Sequence, residues 1–473
     1  NSAQFGKLFS YPVDGAIYAQ PLYVQSVTIP DQGVHNVVYV ATEHDSVYAF
    51  DADGKTTSPL WHVSFIDPPE VTPIPYADTY SADIAPEVGI TGTPVIDPVQ
   101  GVLYVVANTA EGGGYAQRLH ALDITTGAEM SGGPALLSAS VPGTGDGSSG
   151  GTVSFNALRN GQRPALMLLN GIVYVAWASH GDADPYHGWL MGFDARTLKQ
   201  VSAFNATPNG RRGGIWQSGG GPSADEAGNI YLMTGNGTFD ASSGGLDYGD
   251  SFLKLSTPGG LSVADYFTPF DQANRDATDA DVGSGGTLVI PDQPLPHSHL
   301  LVGSDKEGFI FLLNRDDLGG FNAQNNGQIL QTVWSDGHQT YSTLAFWQNN
   351  IYIAGRDDGL RQFPLTDGQL SALPIAKSSA TFGSHGATPC VSANGAAGGI
   401  VWVTDISLWH SAGAAVLHAF DATDVSHELY NSQQNAQRDQ AGPAVKFVVP
   451  TVFNGKVYLG TASELDVYGI LVH

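Results

Sequence analysis

The sequence contains a single cysteine, Cys390, among its 473 residues. One cysteine cannot form an internal disulfide, a CxxC zinc site or a CxxCH haem attachment, so these three kinds of site are excluded. Cys390 lies in the strand-like segment Ala-Thr-Pro-Cys-Val and is expected to be a small, buried, apolar residue. The sequence therefore predicts neither a disulfide scaffold nor covalently bound haem.

Positive charge and long apolar runs are also scarce. The chain has 19 Lys and Arg against 45 Asp and Glu, a net charge of −26, and such an acidic chain is expected to avoid nucleic acid and anionic membrane surfaces. It lacks an uninterrupted apolar run of about 18 residues, so no membrane span is expected. The first residue is Asn1 and not Met, and glycosylation sequons begin at Asn205 and Asn236. These features lead us to expect a secreted, periplasmic or cell-surface protein.

What the sequence does contain is one sequence motif, called the phrase below, that is repeated eight times. The phrase is an inner strand, a turn, a Val/Ile-Tyr-Val/Leu strand, a gap, and an apolar strand that often ends in Phe-Asp or Leu-Asp. In the first unit it occupies residues 22–24, 37–41 and 46–51, with a last strand at 60–65. The Val/Ile-Tyr-like strands of the later units lie at residues 103–106, 173–176, 229–233, 300–303, 351–354, 400–403 and 456–460. The strands are short and β-branched, and Gly, Pro, Asn and Asp separate them.

Four short strands repeated at intervals of roughly 50 residues predict an all-β fold, an eight-bladed β-propeller of four-stranded antiparallel blades. The last unit stops one strand short, while residues 4–13 form a strand that belongs to no unit. We therefore expect this N-terminal strand to complete the blade formed by residues 444–471 and to close the ring, with residues 1–473 as a single domain. A multidomain β-sandwich, the alternative, does not explain the missing strand.

In a propeller, the loops before each inner strand and the loops between second and third strands open on one face around the axis. In the stretch from residue 213 to 315, this rule places six candidate residues on that face: Trp216, Gln217, Asn236, Asp279, Asp281 and Lys306. An aromatic slab, amides, two carboxylates and a lysine together suit a flat anionic cofactor bound on a hard cation. We expect these groups to share one pocket at the axis.

The repeat phrase resembles that of the quinoprotein alcohol dehydrogenases, eight-bladed PQQ-dependent enzymes, over nearly the whole chain. By this resemblance the quinone lies on Trp216 next to Gln217, and Lys306 contacts the quinone carbonyl oxygens. Asn236 and Asp279 belong to the calcium site, and Asp281 is the catalytic carboxylate. The resemblance implies PQQ and calcium as cofactors and an alcohol, sugar or polyol as substrate. Asp281 would then take the substrate hydroxyl proton while the quinone accepts hydride.

The sequence departs from this family at several positions. A vicinal disulfide over the cofactor is impossible with one cysteine, and the arginine expected near Gly92 and Thr93 is absent. The calcium-ligating glutamate falls near Ala183, where Asp182 or Asp184 could replace it with a side chain one methylene shorter. Because no haem motif exists, a dehydrogenase would need an external electron acceptor.

Two further interpretations stay open. The first is a metal-dependent or histidine-dependent enzyme acting on a polysaccharide, for instance by β-elimination from a uronic acid. Its candidate ligands and bases on the same face are His44, His180, His187, His338 and His385. The second is a binding or assembly propeller without PQQ, which takes a small-molecule or carbohydrate ligand, because this fold serves many functions.

Overall fold

The computed structural model describes residues 4–294, 296–335 and 338–471. The chain forms eight four-stranded antiparallel sheets arranged as the blades of a propeller, so the predicted fold is confirmed. From the innermost strand outward, the blades consist of Leu22–Ile29, Gly33–Ala41, Ser46–Asp51 and Trp61–Ser64 (blade 1); Val95–Asp97, Val102–Glu111, Gly114–Asp123 and Ala135–Leu136 (blade 2); Met167–Leu169, Ile172–Trp177, Trp189–Asp194 and Gln200–Asn205 (blade 3); Ser223–Ala224, Ile230–Met233, Phe252–Ser256 and Ser262–Thr268 (blade 4); Leu288–Val289, Leu300–Ser304, Phe309–Asn314 and Gln331–Trp334 (blade 5); Ala345–Trp347, Asn350–Ala354, Asp358–Thr366 and Ala376–Phe382 (blade 6); Cys390–Asn394, Ala397–Asp405, Val416–Asp421 and Asp424–Asn431 (blade 7); Thr451–Phe453, Lys456–Gly460, Glu464–Ile470 and Phe5–Pro12 (blade 8).

The ring is closed by the two ends of the chain, as the sequence predicts. Phe5–Pro12 pairs antiparallel with Glu464–Ile470 and becomes the outermost strand of blade 8. The Lys7 ammonium crosses this pairing and lies 2.5 Å from Asp466 and 3.1 Å from Glu464. Because Asp466 is fully buried, this contact is a charge pair inside the closing blade and not a surface contact.

Apolar side chains fill the junctions between neighbouring blades. Among the described residues, a separate buried cluster occupies each of the eight junctions, including the one between blades 8 and 1. The residues involved come from both faces of the second and third strands, which explains why these strands are apolar throughout and do not alternate. The core of this protein is therefore a ring of eight interfaces around the axis.

The tyrosine of the repeated phrase ties a blade to the next one. Its hydroxyl donates a hydrogen bond to a backbone carbonyl just after the Asp that ends the neighbouring third strand: Tyr39 to Ile124 (2.9 Å), Tyr104 to Ala195 (2.8 Å), Tyr352 to Ala422 (2.6 Å) and Tyr458 to Ala52 (3.1 Å). That Asp caps the turn with its carboxylate; Asp123, for example, accepts from the backbone N–H of Thr125 at 2.7 Å. The tyrosine and the aspartate of the repeated phrase thus both have a structural role.

Replacing Tyr458 by phenylalanine is expected to weaken ring closure, because it removes the bond from blade 8 to blade 1 and leaves the Ala52 carbonyl without this donor. We expect a loss of about 1–2 kcal/mol in the free energy of unfolding, measured by urea unfolding. Tyr80→Phe is the matched control, since Tyr80 is 76% exposed. Equal midpoints for the two variants would contradict the proposed role of the repeat tyrosine.

Several elements lie outside the blades. Val71–Pro75 and Glu87–Val88 extend the blade 2 sheet, Ser140–Pro142 pairs with Thr152–Ser154, Gly320–Phe321 adds a parallel strand to blade 4, and Gln369–Leu370 pairs within blade 6. The α-helices of the described residues are Gln272–Thr278 and Ala436–Asp439, with 3-10 turns at Tyr76–Thr79, Ala241–Ser243, Val282–Ser284 and Trp409–Ser411. None of the helices in these ranges has the length and apolar content needed to cross a membrane. The helix Gln272–Thr278 is followed directly by Asp279 and Asp281.

Candidate functional site in the axial cavity

One cavity of about 150 Å³ opens at the propeller axis. Its walls come from the loops before the inner strands of blades 2 to 8 and from the second-to-third-strand loops of blades 3 and 5, which can meet only at the axis. The lining residues are Asp83, Arg163, Gly181, Asp182, Trp216, Ser218, Asp281, Ser284, Lys306, Tyr341, His385 and Phe447. The predicted residues Trp216, Asp281, Lys306 and Asp182 therefore share one hollow; their chemical roles stay predictions.

A lysine held by two carboxylates forms one side of the cavity. Lys306 Nζ lies 2.7 Å from Asp279 Oδ2 and 3.2 Å from Asp281 Oδ2. Asn236 fixes the same carboxylates, because its backbone N–H donates to Asp281 (2.9 Å) and its side-chain amide donates to Asp279 (3.0 Å). The backbone supports this arrangement: Asp279 ends the helix in the left-handed region (φ 59°), and the N–H of Lys306 donates to the Asp281 carbonyl (2.9 Å).

The electrostatics of this network follow from its burial. Burial raises the pKa of Asp281, and the charge of Lys306 opposes this shift only in part. For Lys306, burial lowers the pKa, but the charges of Asp281 and Asp279 outweigh it, so the pKa ends above its ordinary value. Lys306 therefore stays protonated at neutral pH, and Asp281 is a carboxylate with an increased tendency to accept a proton.

An aromatic wall faces this network. Trp216 is 7% exposed and packs edge-to-face on Tyr186, with ring centroids 6.2 Å apart. Gly235 lets the indole and the Asp281 carboxylate come together, since a Cβ there would collide with both Trp216 Nε1 and Asp281 Oδ1. Trp216 Nε1 is buried and has no hydrogen-bond partner among the described residues. This N–H is therefore a polar group without a protein acceptor beside the cavity.

Beside Trp216 the cavity carries a cationic group that the sequence interpretation missed. The Arg163 Cζ atom lies 5.3 Å from the Trp216 ring centroid and 4.6 Å from that of Phe447, within cation–π range. Arg163 donates to Asp83 (2.6 Å), and the buried Lys446 contacts the other oxygen of the same carboxylate. Asp83, Arg163 and Phe447 all precede inner strands, so the loop rule could have found them.

His385 and Tyr341 complete the rim. The His385 ring accepts or donates one hydrogen bond with Ser384 Oγ (2.9 Å) and packs 4.9 Å from the Tyr341 ring. Burial and then the charge of Arg163 lower the pKa of His385 to about 4. His385 is therefore neutral at pH 7 and offers the cavity an uncharged imidazole.

The other predicted histidines do not gather into a metal site. His44 bonds to Glu87 (2.8 Å), and His338 bonds to the Arg356 carbonyl (3.1 Å). Both ring nitrogens of His187 are used, by Thr207 (2.9 Å) and by the Asp146 carbonyl (2.8 Å), so neither is free for a metal shared with His180, and that pairing stays a prediction. Within the described ranges, no three His, Cys, Asp or Glu side chains are arranged to hold a metal ion.

Of the three remaining predicted residues, Asp184 lies away from the cavity, Asp182 lines it, and Gln217 is buried outside the lining. Asp184 forms a two-pronged ion pair with Arg212 at 2.5 and 3.0 Å, away from the cavity. Asp182 does line the cavity, but it accepts the Tyr186 hydroxyl. Gln217 is fully buried, and its amide has no partner among the described residues. Asp182 thus lies in the cavity and Asp184 does not, and a role for either as a calcium ligand stays a prediction.

The residues present do not fit a calcium–PQQ pair. Asn236 Oδ1 is buried without a partner in the described part of the chain and would suit calcium, but the Lys306 ammonium already lies between the two carboxylates. A divalent cation there would be repelled by a buried ammonium. The cavity of about 150 Å³ is also below the roughly 300–1,000 Å³ typical of pockets for drug-sized ligands, so it offers less room for a fused quinone than for a single ring. These residues therefore do not support a reaction step through a bound quinone.

Comparisons with known proteins define a class of fold. No protein-family model and no curated protein matches the sequence. The quinohemoprotein alcohol dehydrogenase from Comamonas testosteroni has a similar structure, with a TM-score of 0.60, 14% identity, and coverage of 98% of this chain and 76% of that one. A europium-containing methanol dehydrogenase matches with a TM-score of 0.57 and 13% identity, over 98% of this chain and 93% of that one. BamB from Moraxella catarrhalis matches with a TM-score of 0.54 and 14% identity, over 98% of this chain and 100% of that one. The chain thus has the propeller fold of PQQ-dependent alcohol dehydrogenases, and identities this low show the fold alone.

Proposed function

We propose that the axial cavity binds one polyhydroxyl ring, a sugar or a polyol. The observation that carries this proposal is the combination of an aromatic wall with both hydrogen-bond donors and acceptors in a hollow of about 150 Å³. Such a volume suits a single ring better than a fused ring system. Sugars present apolar faces and hydroxyl edges together, which is the chemistry that Trp216 and the charged groups offer.

Each lining group has a distinct task in this proposal. Trp216 and Tyr341 pack against the apolar face of the ring, while Lys306 and Arg163 donate hydrogen bonds to ring oxygens. Asp281 accepts a hydrogen bond from a ligand hydroxyl and, because burial raises its pKa, is the group best placed to take up the proton. The neutral His385 contributes one more polar contact at the rim.

Removing the aromatic wall is the test of this proposal. A panel of monosaccharides and polyols would be titrated by calorimetry into the wild type and into Trp216→Leu. We expect binding by the wild type and a loss of about 2 kcal/mol, roughly 30-fold, in the variant. Trp334→Leu is the control, because Trp334 lies 57% exposed on the outer strand of blade 5. Wild-type protein that binds no member of the panel, or a Trp216 variant that binds as well, would refute the proposal.

A PQQ-dependent dehydrogenase with an external electron acceptor is the second candidate. It is favoured by one observation: Trp216, Asp281 and Lys306 line the same cavity, as the family resemblance implies. The protein would be incubated with PQQ and Ca²⁺, passed over a desalting column, and assayed for quinone absorbance and dye reduction with alcohols and sugars. We expect no retained quinone; stoichiometric retention with turnover would favour the dehydrogenase. An extracytoplasmic location is part of either proposal.

A further inference from the structure

An exposed tyrosine supported by an arginine lies outside the axial cavity. Tyr80 is 76% exposed, and the Arg159 Cζ atom lies 4.3 Å from the centroid of its ring. Arg159 Nη1 is buried and has no hydrogen-bond partner within the described ranges, so the aromatic ring is what this part of the guanidinium packs against. Because the arginine covers only one face of the ring, the other face is open to a ligand.

Polar groups border this ring. Tyr115 is 37% exposed, and its hydroxyl donates a hydrogen bond to Asp78 (3.1 Å). Desolvation and then Asp78 and Tyr80 raise the pKa of Tyr115, so Tyr115 lies close to Tyr80. An amphipathic aromatic surface edged by hydrogen-bonding groups suits the apolar face and the hydroxyl edge of a sugar ring. The four residues Tyr80, Arg159, Tyr115 and Asp78 are called the Tyr80 platform below.

The Tyr80 platform adjoins the rim of the axial cavity. Asp83, which lines the cavity, follows Tyr80 so closely in the chain that their Cα atoms are at most about 11 Å apart. Ser81 touches the lining directly, because a Cβ on the lining residue Gly181 would collide with Ser81 Oγ. The loop that carries Tyr80 therefore runs from the platform into the wall of the cavity.

A second loop makes the same connection. Arg159 supports Tyr80, and Arg163, a little further along this loop, lines the cavity. Desolvation and then the charges of Arg163 and Arg159 lower the pKa of His180 to about 4, so this buried histidine lies close to both arginines. Both loops precede inner strands, those of blades 2 and 3, so the platform and the cavity open on the same face of the propeller.

We infer that the ring in the axial cavity is the end unit of an oligosaccharide, and that the next units of the chain pack on the open face of Tyr80. This inference rests on the proposed function and names the ligand class of the same site. A cavity of about 150 Å³ has room for one ring, so the rest of a longer chain must leave through the rim. A ring tethered to one that is already bound loses little further entropy, so its contact with Tyr80 adds directly to the affinity.

Chain length isolates the contribution of the platform. Cello-, malto-, xylo- and β-1,4-galacto-oligosaccharides, each from the monosaccharide to the trisaccharide, would be titrated by calorimetry into the folded full chain. In a series whose monosaccharide binds, the wild type is expected to bind the trisaccharide roughly tenfold more tightly, about 1.4 kcal/mol. In Tyr80→Ala the ratio of trisaccharide to monosaccharide affinity is expected to fall toward one, whereas Tyr80→Phe retains most of it.

Two further variants separate this inference from the proposed function. Phe270→Ala removes another exposed aromatic ring, 44% exposed after the outer strand of blade 4, and keeps the wild-type ratio. Trp216→Leu weakens monosaccharide and trisaccharide alike, because the cavity holds the end ring of both. Equal affinity for one and three units in the wild type, or a gain that survives in Tyr80→Ala, would overturn this inference and leave the proposed function intact. Absence of binding by every sugar would instead refute the proposed function.

Discussion

Replacing Lys306 by methionine is expected to destabilise the protein by about 3–5 kcal/mol at pH 8, because it leaves the Asp281 carboxylate buried without a counter-charge. The ammonium contacts Asp281 at 3.2 Å and Asp279 at 2.7 Å, and its side chain is only 14% exposed. Asp279 can turn toward water, since its side chain is 64% exposed, so most of the loss comes from Asp281. Urea unfolding at constant pH measures the change.

The pH dependence of this variant has a defined sign. Burial raises the pKa of Asp281 in the folded protein, and loss of Lys306 removes the charge that opposes the shift. A raised carboxyl pKa means that the folded state binds more protons than the unfolded state, so stability falls as pH rises from the unfolded pKa toward the folded one. The loss in Lys306→Met is therefore smaller at pH 5 than at pH 8. Adding Asp281→Asn to the Lys306→Met variant should restore most of the lost stability at both pH values.

Calcium supplies a further control on the same variant. The wild type is expected to show no rise in Tm with millimolar Ca²⁺, because Lys306 holds the position between the carboxylates. The methionine variant frees that position and can gain stability from the ion. A clear calcium-induced rise in wild-type Tm would contradict our assignment of Lys306 as the resident cation. Such a rise would instead support a calcium site between these carboxylates.

Lys7→Met is the second substitution with a large expected effect, again about 3–5 kcal/mol at pH 8. Lys7 lies on the N-terminal strand, and its ammonium contacts the fully buried Asp466 of the neighbouring strand. Burial raises the pKa of Asp466 to about 7 even with Lys7 present. Without Lys7 the carboxylate must be protonated for the blade to close, so the destabilisation grows from pH 5 to pH 8. Urea unfolding at the two pH values tests this.

An exposed lysine provides the comparison for both variants. Lys55 pairs with Asp53 at 3.4 Å, but its side chain is 60% exposed. Lys55→Met is expected to change the free energy of unfolding by less than about 1 kcal/mol and without a marked pH dependence. If Lys7→Met behaved like Lys55→Met, the closing blade would not depend on the buried ion pair, and our description of ring closure would be wrong.

Most of the fold could be predicted because the repeat encodes its own contacts. The Val/Ile-Tyr-Val phrase marks both a buried strand and the hydroxyl that reaches the next blade. Blade 6 shows where the pattern fails: its third strand, Asp358–Thr366, contains Arg361 and Gln362 in place of an apolar run ending in Phe-Asp. Both are buried and satisfied by tertiary partners, such as the Ser335 carbonyl for Arg361, which a local pattern cannot reveal.

The candidate site was predictable only in part. Loop position identified Trp216, Asp281 and Lys306, because the propeller topology by itself brings those loops to the axis. It did not identify which side chains turn inward: His44 turns toward Glu87, although it lies on a loop of the same face. Arg163 was not predicted, because its partner Asp83 lies in a different blade-to-blade loop. Side-chain pairing between such loops is a tertiary property that spacing does not encode.

A crystal structure of the protein soaked with its best-binding sugar tests the central claim most directly. We predict density for one ring between Trp216 and Tyr341, with ring hydroxyls within hydrogen-bond distance of Asp281 and Arg163. A ligand bound in the apolar cleft between blades 7 and 8, lined by Phe5, Trp402 and Phe453, would contradict it. So would an axial cavity that stays free of ligand at saturating concentration.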